Sequence, residues 1–233
     1  ILVYGNTVTI RFTIPEGFSV RDIAQRLDDE GLVKADAFIS LAKTYRPYPY
    51  VEEHENVRYA AEGFLFPDTY EINGEFDGAR IMEMMAENFD RRLTKEMRER
   101  AKEMNLSIYE LVTLASLVEK EAYHEEDRPI IAQIFLKRLR LGMPLQADPT
   151  VQYLLNEPKE DLLFSDTEIE SPYNTYQNVG LPPGPIASPG TASLMAVLHP
   201  AATNYLYFVA DRNGNNYYAT NYADHLALVD QVR

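Results

Sequence analysis

Residues 7–14, Thr-Val-Thr-Ile-Arg-Phe-Thr-Ile, alternate polar positions with β-branched or aromatic ones. That two-residue period predicts a strand with one buried face. Pro15-Glu16-Gly17 breaks it, and the period then lengthens. Ile23, Ala24 and Leu27 form a helical stripe, opened by Ser19 with Asp22 in the capping-box place and stopped at Gly31. A second helix is predicted from about Lys34 to Tyr45, with Phe38, Ile39 and Leu41 inward. The loop Arg46-Pro-Tyr-Pro-Tyr50 follows, and then a strand across Ala61 to Ile72 centred on Phe64-Leu65-Phe66. The order β-α-α-β makes a small unit, near the lower size limit for stability alone.

From Asp77 the pattern is helical. Asp77 can cap 78–92, with Ile81, Met84, Met85 and Phe89 on one face. Thr94 caps a charged helix to about Met104, and Ser107 with Glu110 forms a capping box opening an apolar helix to about Ala122. Pro129 suits the start of a helix running to Leu141, with Gly142 as its left-handed stop. Nine of the 14 prolines then fall between 144 and 200. Tyr153, Tyr173, Tyr176, Leu181 and Ile186 lie among them, so the segment reads as ordered loops rather than a disordered linker. Asn213-Gly214 between two Tyr-rich runs predicts a hairpin with a type I′ turn, and Asn221 caps a last helix through Val232. The expected fold is α+β: a module over residues 1–74, then a helix-rich domain over 75–233 with a C-terminal β-hairpin.

Composition narrows the chemistry. The 233 residues carry a formal charge of −14, which argues against nucleic acid as a partner. The absence of Cys excludes thiol catalysis, disulfides and Cys-rich zinc sites. The four His are scattered, so no metal or cofactor is expected. Residues 211–215 faintly match a calcium loop, without the closing Glu. Sixteen Tyr and no Trp would suit stacking on sugars, although most of these rings are ordinary half-buried filler. No apolar run approaches a membrane span of about 18 residues. The opening Ile1-Leu2-Val3-Tyr4 reads as the interior of a longer chain.

One helix carries the sharpest chemical signal. On a wheel with Leu111 at zero, Glu119 falls at about 80°, inside the apolar stripe between Ile108 and Val112. Glu121 falls at about 280°, on the opposite margin. A carboxyl in an apolar stripe either gains a raised pKa, as a general acid requires, or finds a partner such as Arg138 or Arg128. Two further segments could bind ligand. Gln146, Asp148 and Thr150 alternate at extended spacing, and could line one side of a site or simply cap a following helix. Tyr173, Asn174 and Tyr176 sit on a proline-stiffened loop that could form a sugar-binding rim.

These segments, together with Glu62-Gly-Phe-Leu-Phe-Pro-Asp-Thr-Tyr70, Ala115-Ser-Leu-Val-Glu-Lys-Glu121, Gly142-Met-Pro-Leu-Gln-Ala-Asp-Pro-Thr150, Gly180-Leu-Pro-Pro-Gly184 and Tyr205-Leu-Tyr-Phe-Val-Ala-Asp211, resemble the endolytic murein transglycosylases, the MltG or YceG-like family. The words run in family order across nearly the whole chain. The resemblance implies that residues 1–74 are LysM-like; a β-α-α-β module presents a shallow groove and this one holds no convincing acid–base pair, so it is expected to contribute binding more than chemistry. The resemblance also implies a single-pass membrane anchor ahead of residue 1, an extracytoplasmic catalytic domain, peptidoglycan glycan strands as substrate and peptidoglycan synthases as partners. It places the catalytic carboxyl on Glu119; Glu121, from its place on the wheel, is a possible secondary residue. The resemblance further implies cleavage between N-acetylmuramic acid and N-acetylglucosamine, leaving 1,6-anhydro ends without consuming water. Two alternatives stay open: a hydrolase with Asp148 or Glu121 as base, and a glycan-binding module that cuts nothing.

Overall fold

The computed structural model describes residues 9–73, 76–155 and 157–232. The predicted strand at 7–14 is therefore seen from residue 9. It forms β1 (Thr9–Thr13), which pairs antiparallel with β2 (Thr69–Asn73), Phe12 opposite Tyr70 and Ile10 opposite Ile72. A two-stranded ribbon is marginal alone. Its inner face, with Phe12, Ile14, Tyr70 and Ile72, is covered by α1 (Val20–Asp29) and α2 (Ala35–Ala42). α1 starts where expected because Ser19 and Asp22 form the capping box. Leu41, predicted to face inward, is 40% exposed.

The predicted strand over Ala61–Ile72 forms only from Thr69. Residues 61–66 instead run as buried turns, with Gly63 at φ 81°. The alternation that suggested a strand is real but serves two cores. Phe64 and Phe66 enter the larger core, whereas Leu65 between them enters the core under the β1–β2 ribbon.

The helices α3 (Gly78–Arg92), α4 (Lys95–Glu103), α5 (Ile108–Glu121) and α6 (Arg128–Leu141) begin at or next to the expected caps. α3 belongs to both cores: Ile81, Met82, Met85 and Ala86 pack under the ribbon, and Phe89 packs in the larger core. α5 is the central element, with every residue from Leu111 to Val118 buried. It packs on α6 and on α8 (Thr191–Leu198), and a short α7 (Asp148–Gln152) lies at its side. β3 (Tyr207–Ala210) and β4 (Asn216–Ala219) form the hairpin, and α9 (Tyr222–Val232) leans on them. Within the 211–215 loop only Gly214 has positive φ, at 83°. A type I′ turn needs two such residues, so the predicted turn is not the one formed. Asp211 instead nucleates the loop, its Oδ1 accepting the amides of Asn213 and Asn215. Mixed helix with small sheets agrees with the α+β expectation. No helix among the described residues is long and apolar enough to cross a membrane.

The N-terminal unit is fastened to the rest by buried polar groups. Glu62 is fully buried. Its two oxygens accept the Val20 amide at 2.8 Å and the Tyr153 hydroxyl at 2.9 Å. Arg21 and Arg58 each donate to the Tyr153 carbonyl, both at 2.8 Å.

Candidate active site

Glu119 lies in the last turn of α5, where the helix emerges from the core. Its side chain is only 6% exposed. Oε1 accepts from the Arg128 guanidinium at 3.2 Å, and Oε2 accepts the Gly190 amide at 3.0 Å. Arg128, in the first turn of α6, is fixed in turn by donating Nε to Ser193 Oγ at 3.0 Å. Gly190 is the N-cap of α8, so the amide that reaches Glu119 belongs to a helix N-terminus. Three helices thus converge on one carboxyl. The apolar position read from the wheel is satisfied by partners, Arg128 among them. A carboxyl held at both oxygens has a fixed direction, and the same two donors can stabilise it as an anion after it has given up a proton.

The N-terminal unit reaches this site through the turn at Pro15–Phe18. Gly17 N donates to Ser188 O at 2.9 Å, Ser188 N donates to Phe18 O at 2.8 Å, and Lys120 Nζ donates to Gly17 O at 3.2 Å. A Cβ on Gly17 would stand 3.7 Å from Glu119 Cγ. A Cβ on Gly190 would stand 2.0 Å from a carboxylate oxygen of Glu16. Only glycine fits at 190 with Glu16 in place. Glu16 is exposed as a residue, yet its carboxyl, turned toward Gly190, is pushed above the usual range, first by its partial burial there and then by the charge of Glu119, with Arg128 opposing. Ser188, 1% exposed, has a hydroxyl with no partner among the described residues.

A second acidic group lies on the other side of α5. Glu121 is pushed up to about 8, mainly by burial and then by the charge of Asp148. Asp148 is exposed and accepts from the Tyr176 hydroxyl. Gln146 is also exposed, with φ 50° and its amide on Thr175 O. No hydrogen bond or ion pair among the described residues joins this group to Glu119.

The predicted binding residues therefore divide. Gln146, Asp148 and Tyr176 reach the surface or its edge. Thr150 does not share their face: it is fully buried, and its hydroxyl bonds Ala147 O at 2.7 Å and meets Thr175 Oγ1 at 3.0 Å. The extended spacing fails because the chain turns helical at Asp148, and the capping alternative is not met either: the N-cap is Ala147, with no side-chain cap, and Asp148 is the first residue inside the helix. Asn174, also fully buried, donates to Thr167 O and Ile169 O and accepts from Tyr176 N. Tyr173 is 3% exposed, and its hydroxyl accepts the Arg58 amide at 3.3 Å. These three residues build the loop rather than present themselves to a ligand. Sequence reasoning missed Glu16 and Gly190. The Pro-Glu-Gly word announced only a turn, and nothing local ties residue 16 to residue 119.

Comparison with known proteins gives a consistent picture. The family model described as the YceG-like family matches residues 1–231. A Bacillus subtilis protein named endolytic murein transglycosylase is 38% identical over 214 residues, covering 89% of this chain and 57% of that protein. A Streptococcus pneumoniae protein of the same name is 35% identical over 241 residues, covering 94% of this chain and 44% of that one. The chain thus spans about half the length of these curated relatives. The crystal structure of a YceG-like protein from Listeria monocytogenes superposes with a TM-score of 0.87 at 33% identity, covering 94% of this chain and 75% of the other.

Proposed function

The chain belongs to the YceG-like family, and we propose that it is an endolytic lytic transglycosylase that cuts the glycan strands of peptidoglycan with Glu119 as its one general acid and base. The observation that carries this reading is the setting of Glu119, a carboxyl almost closed off from water and aimed by one guanidinium and one helix-terminal amide.

In this reading Glu119 protonates the oxygen bridging N-acetylmuramic acid C1 to N-acetylglucosamine C4, and the C1–O bond breaks. The C6 hydroxyl of the same muramic acid then bonds to C1, and its proton returns to Glu119. The product is a 1,6-anhydro end. No water enters, and the intramolecular attack has a proximity advantage. Ordinary glycosidases divide the work between two carboxyls. Here the substrate supplies the nucleophile. The net charge of −14 cannot attract an anionic polymer, so hydrogen bonding and tyrosine stacking hold it. Exposed Gln146 and Asp148, with Tyr176, are the candidate contacts. The same proposal has residues 1–74 as a LysM-like module, an anchor segment holding the domain on the outer face of the cell membrane, and peptidoglycan synthases as partners.

The test is mass spectrometry of glycan strands after digestion. Wild-type protein is expected to leave anhydro ends. Reducing ends would mean a hydrolase, and intact strands a binding module. Glu119→Gln keeps the shape but has no proton to give, so cleavage should drop by about 10³-fold or more while the circular dichroism spectrum is unchanged. Near-normal cleavage by that variant would end the assignment.

A further inference from the structure

We propose that Glu16 is a positioning residue of the active site: it faces Glu119 across Gly190 and, through its charge, acts on the one proton that the two carboxyls share. This inference rests on the reading of Glu119 as general acid.

The geometry is specific. The turn carrying Glu16 is tied by paired backbone bonds to the segment just before α8, and Lys120 clamps the turn from α5. Gly190 then touches both carboxyls, donating its amide to Glu119 on one side and leaving room for Glu16 where a side chain would stand. The charged groups around Glu16 are Glu119 and Lys120 of α5, Arg128 of α6 and Glu125 of the 3-10 turn preceding α6. Arg128 and the Gly190 amide both favour the anionic form of the carboxyl they bind. That helps a base and hinders an acid. A nearby like charge acts in the opposite sense, because two ionised carboxyls repel and the pair favours keeping one proton between them.

Glu16 therefore assists both halves of the reaction. Before cleavage, repulsion within the pair favours a retained proton. After that proton has passed to the leaving oxygen, both carboxyls are anionic, and the repulsion favours taking the proton of the C6 hydroxyl. The pair ends with the single proton it began with. The raised proton affinity of Glu16, in which Glu119 is the second contributor after burial, is consistent with this coupling. The N-terminal unit, on this view, completes the site.

The experiment is a pH–rate profile, with kcat and KM separated, on soluble uncross-linked peptidoglycan strands from about pH 5 to about pH 9. Removing the negative neighbour makes the proton easier to lose. The alkaline limb of kcat for Glu16→Gln is therefore expected to move down by roughly one pH unit, with KM within about threefold of wild type. Glu16→Asp keeps the charge and should keep most of the limb position. Gly190→Ala, whose Cβ displaces the Glu16 carboxyl, should shift the limb in the same direction as Glu16→Gln. An unmoved limb, or a loss by the same factor at every pH, overturns the inference. Absence of anhydro ends from wild-type protein would instead overturn the reading of the function, so the two failures are distinct.

Discussion

Glu62 shows at the level of one residue how a carboxyl can be stored inside a protein. It is fully buried, it accepts one amide and one hydroxyl, and its pKa is pushed up to about 8, chiefly by burial. No cation among the described residues binds it directly, and burial favours its neutral form in the folded chain. In the unfolded chain the group ionises near the ordinary 4.5. The folded state then holds more protons than the unfolded state between those values, and stability must fall as pH rises through that window. Below it the full contribution is present. The loss is on the order of a few kcal/mol. Glu62→Gln removes the titration, so its urea midpoint should vary less between about pH 5 and about pH 8 than that of wild type, with the remaining slope due largely to Glu121. Equal slopes would show that Glu62 is not the group responsible. Glu119 was legible from its place on the wheel. Glu62 was visible only as a letter in a word, because an irregular buried turn has no period against which a carboxyl stands out.

Among the elements, the helices could be read because their signals are local. Ser19, Asp77, Thr94 and Ser107 each accept an amide of the first turn they open. The connections were harder to read. Phe64–Phe66 imitates a strand because its neighbours in space lie on two sides, and the 211–215 loop follows the carboxylate of Asp211 rather than the Asn-Gly pair. Arg138 is the structural counterpart. It is 6% exposed on α6, and it donates to Leu206 O at 2.8 Å and to Leu145 O at 2.7 Å. One side chain thus joins the entry to the hairpin to the loop before α7. Arg138→Ala would leave buried carbonyls without donors. It should lower stability by about 2–4 kcal/mol in urea unfolding, with the slope of the transition unchanged. A loss under about 0.5 kcal/mol would mean that water or neighbouring donors replace the guanidinium.

Over the whole molecule, the N-terminal unit is expected from the sequence to contribute binding more than chemistry. Its packing gives it a part in the fold as well. The face of α3 with Ile81, Met82, Met85 and Ala86 is buried against it, and Glu62, Arg21 and Arg58 cross between it and the Tyr153 region. A chain starting at residue 76 should expose that apolar face, aggregate in light scattering, lose helical circular dichroism and cut no glycan. A folded, active fragment would show the unit to be dispensable. The helix bearing Glu119 could be read from the sequence, but the enclosure of Glu119 could not, since residues 16, 119, 128 and 190 meet only through tertiary packing. The seam between Gly17 and Ser188 has a consequence for biosynthesis. A chain emerging residue by residue cannot close its active site until the segment around residue 190 has appeared and found the turn made about 170 residues earlier. An incomplete copy therefore carries Glu119 without its Gly190 donor and without its enclosure. On the proposed function, cleavage of glycan strands is thereby withheld from the ribosome's unfinished products.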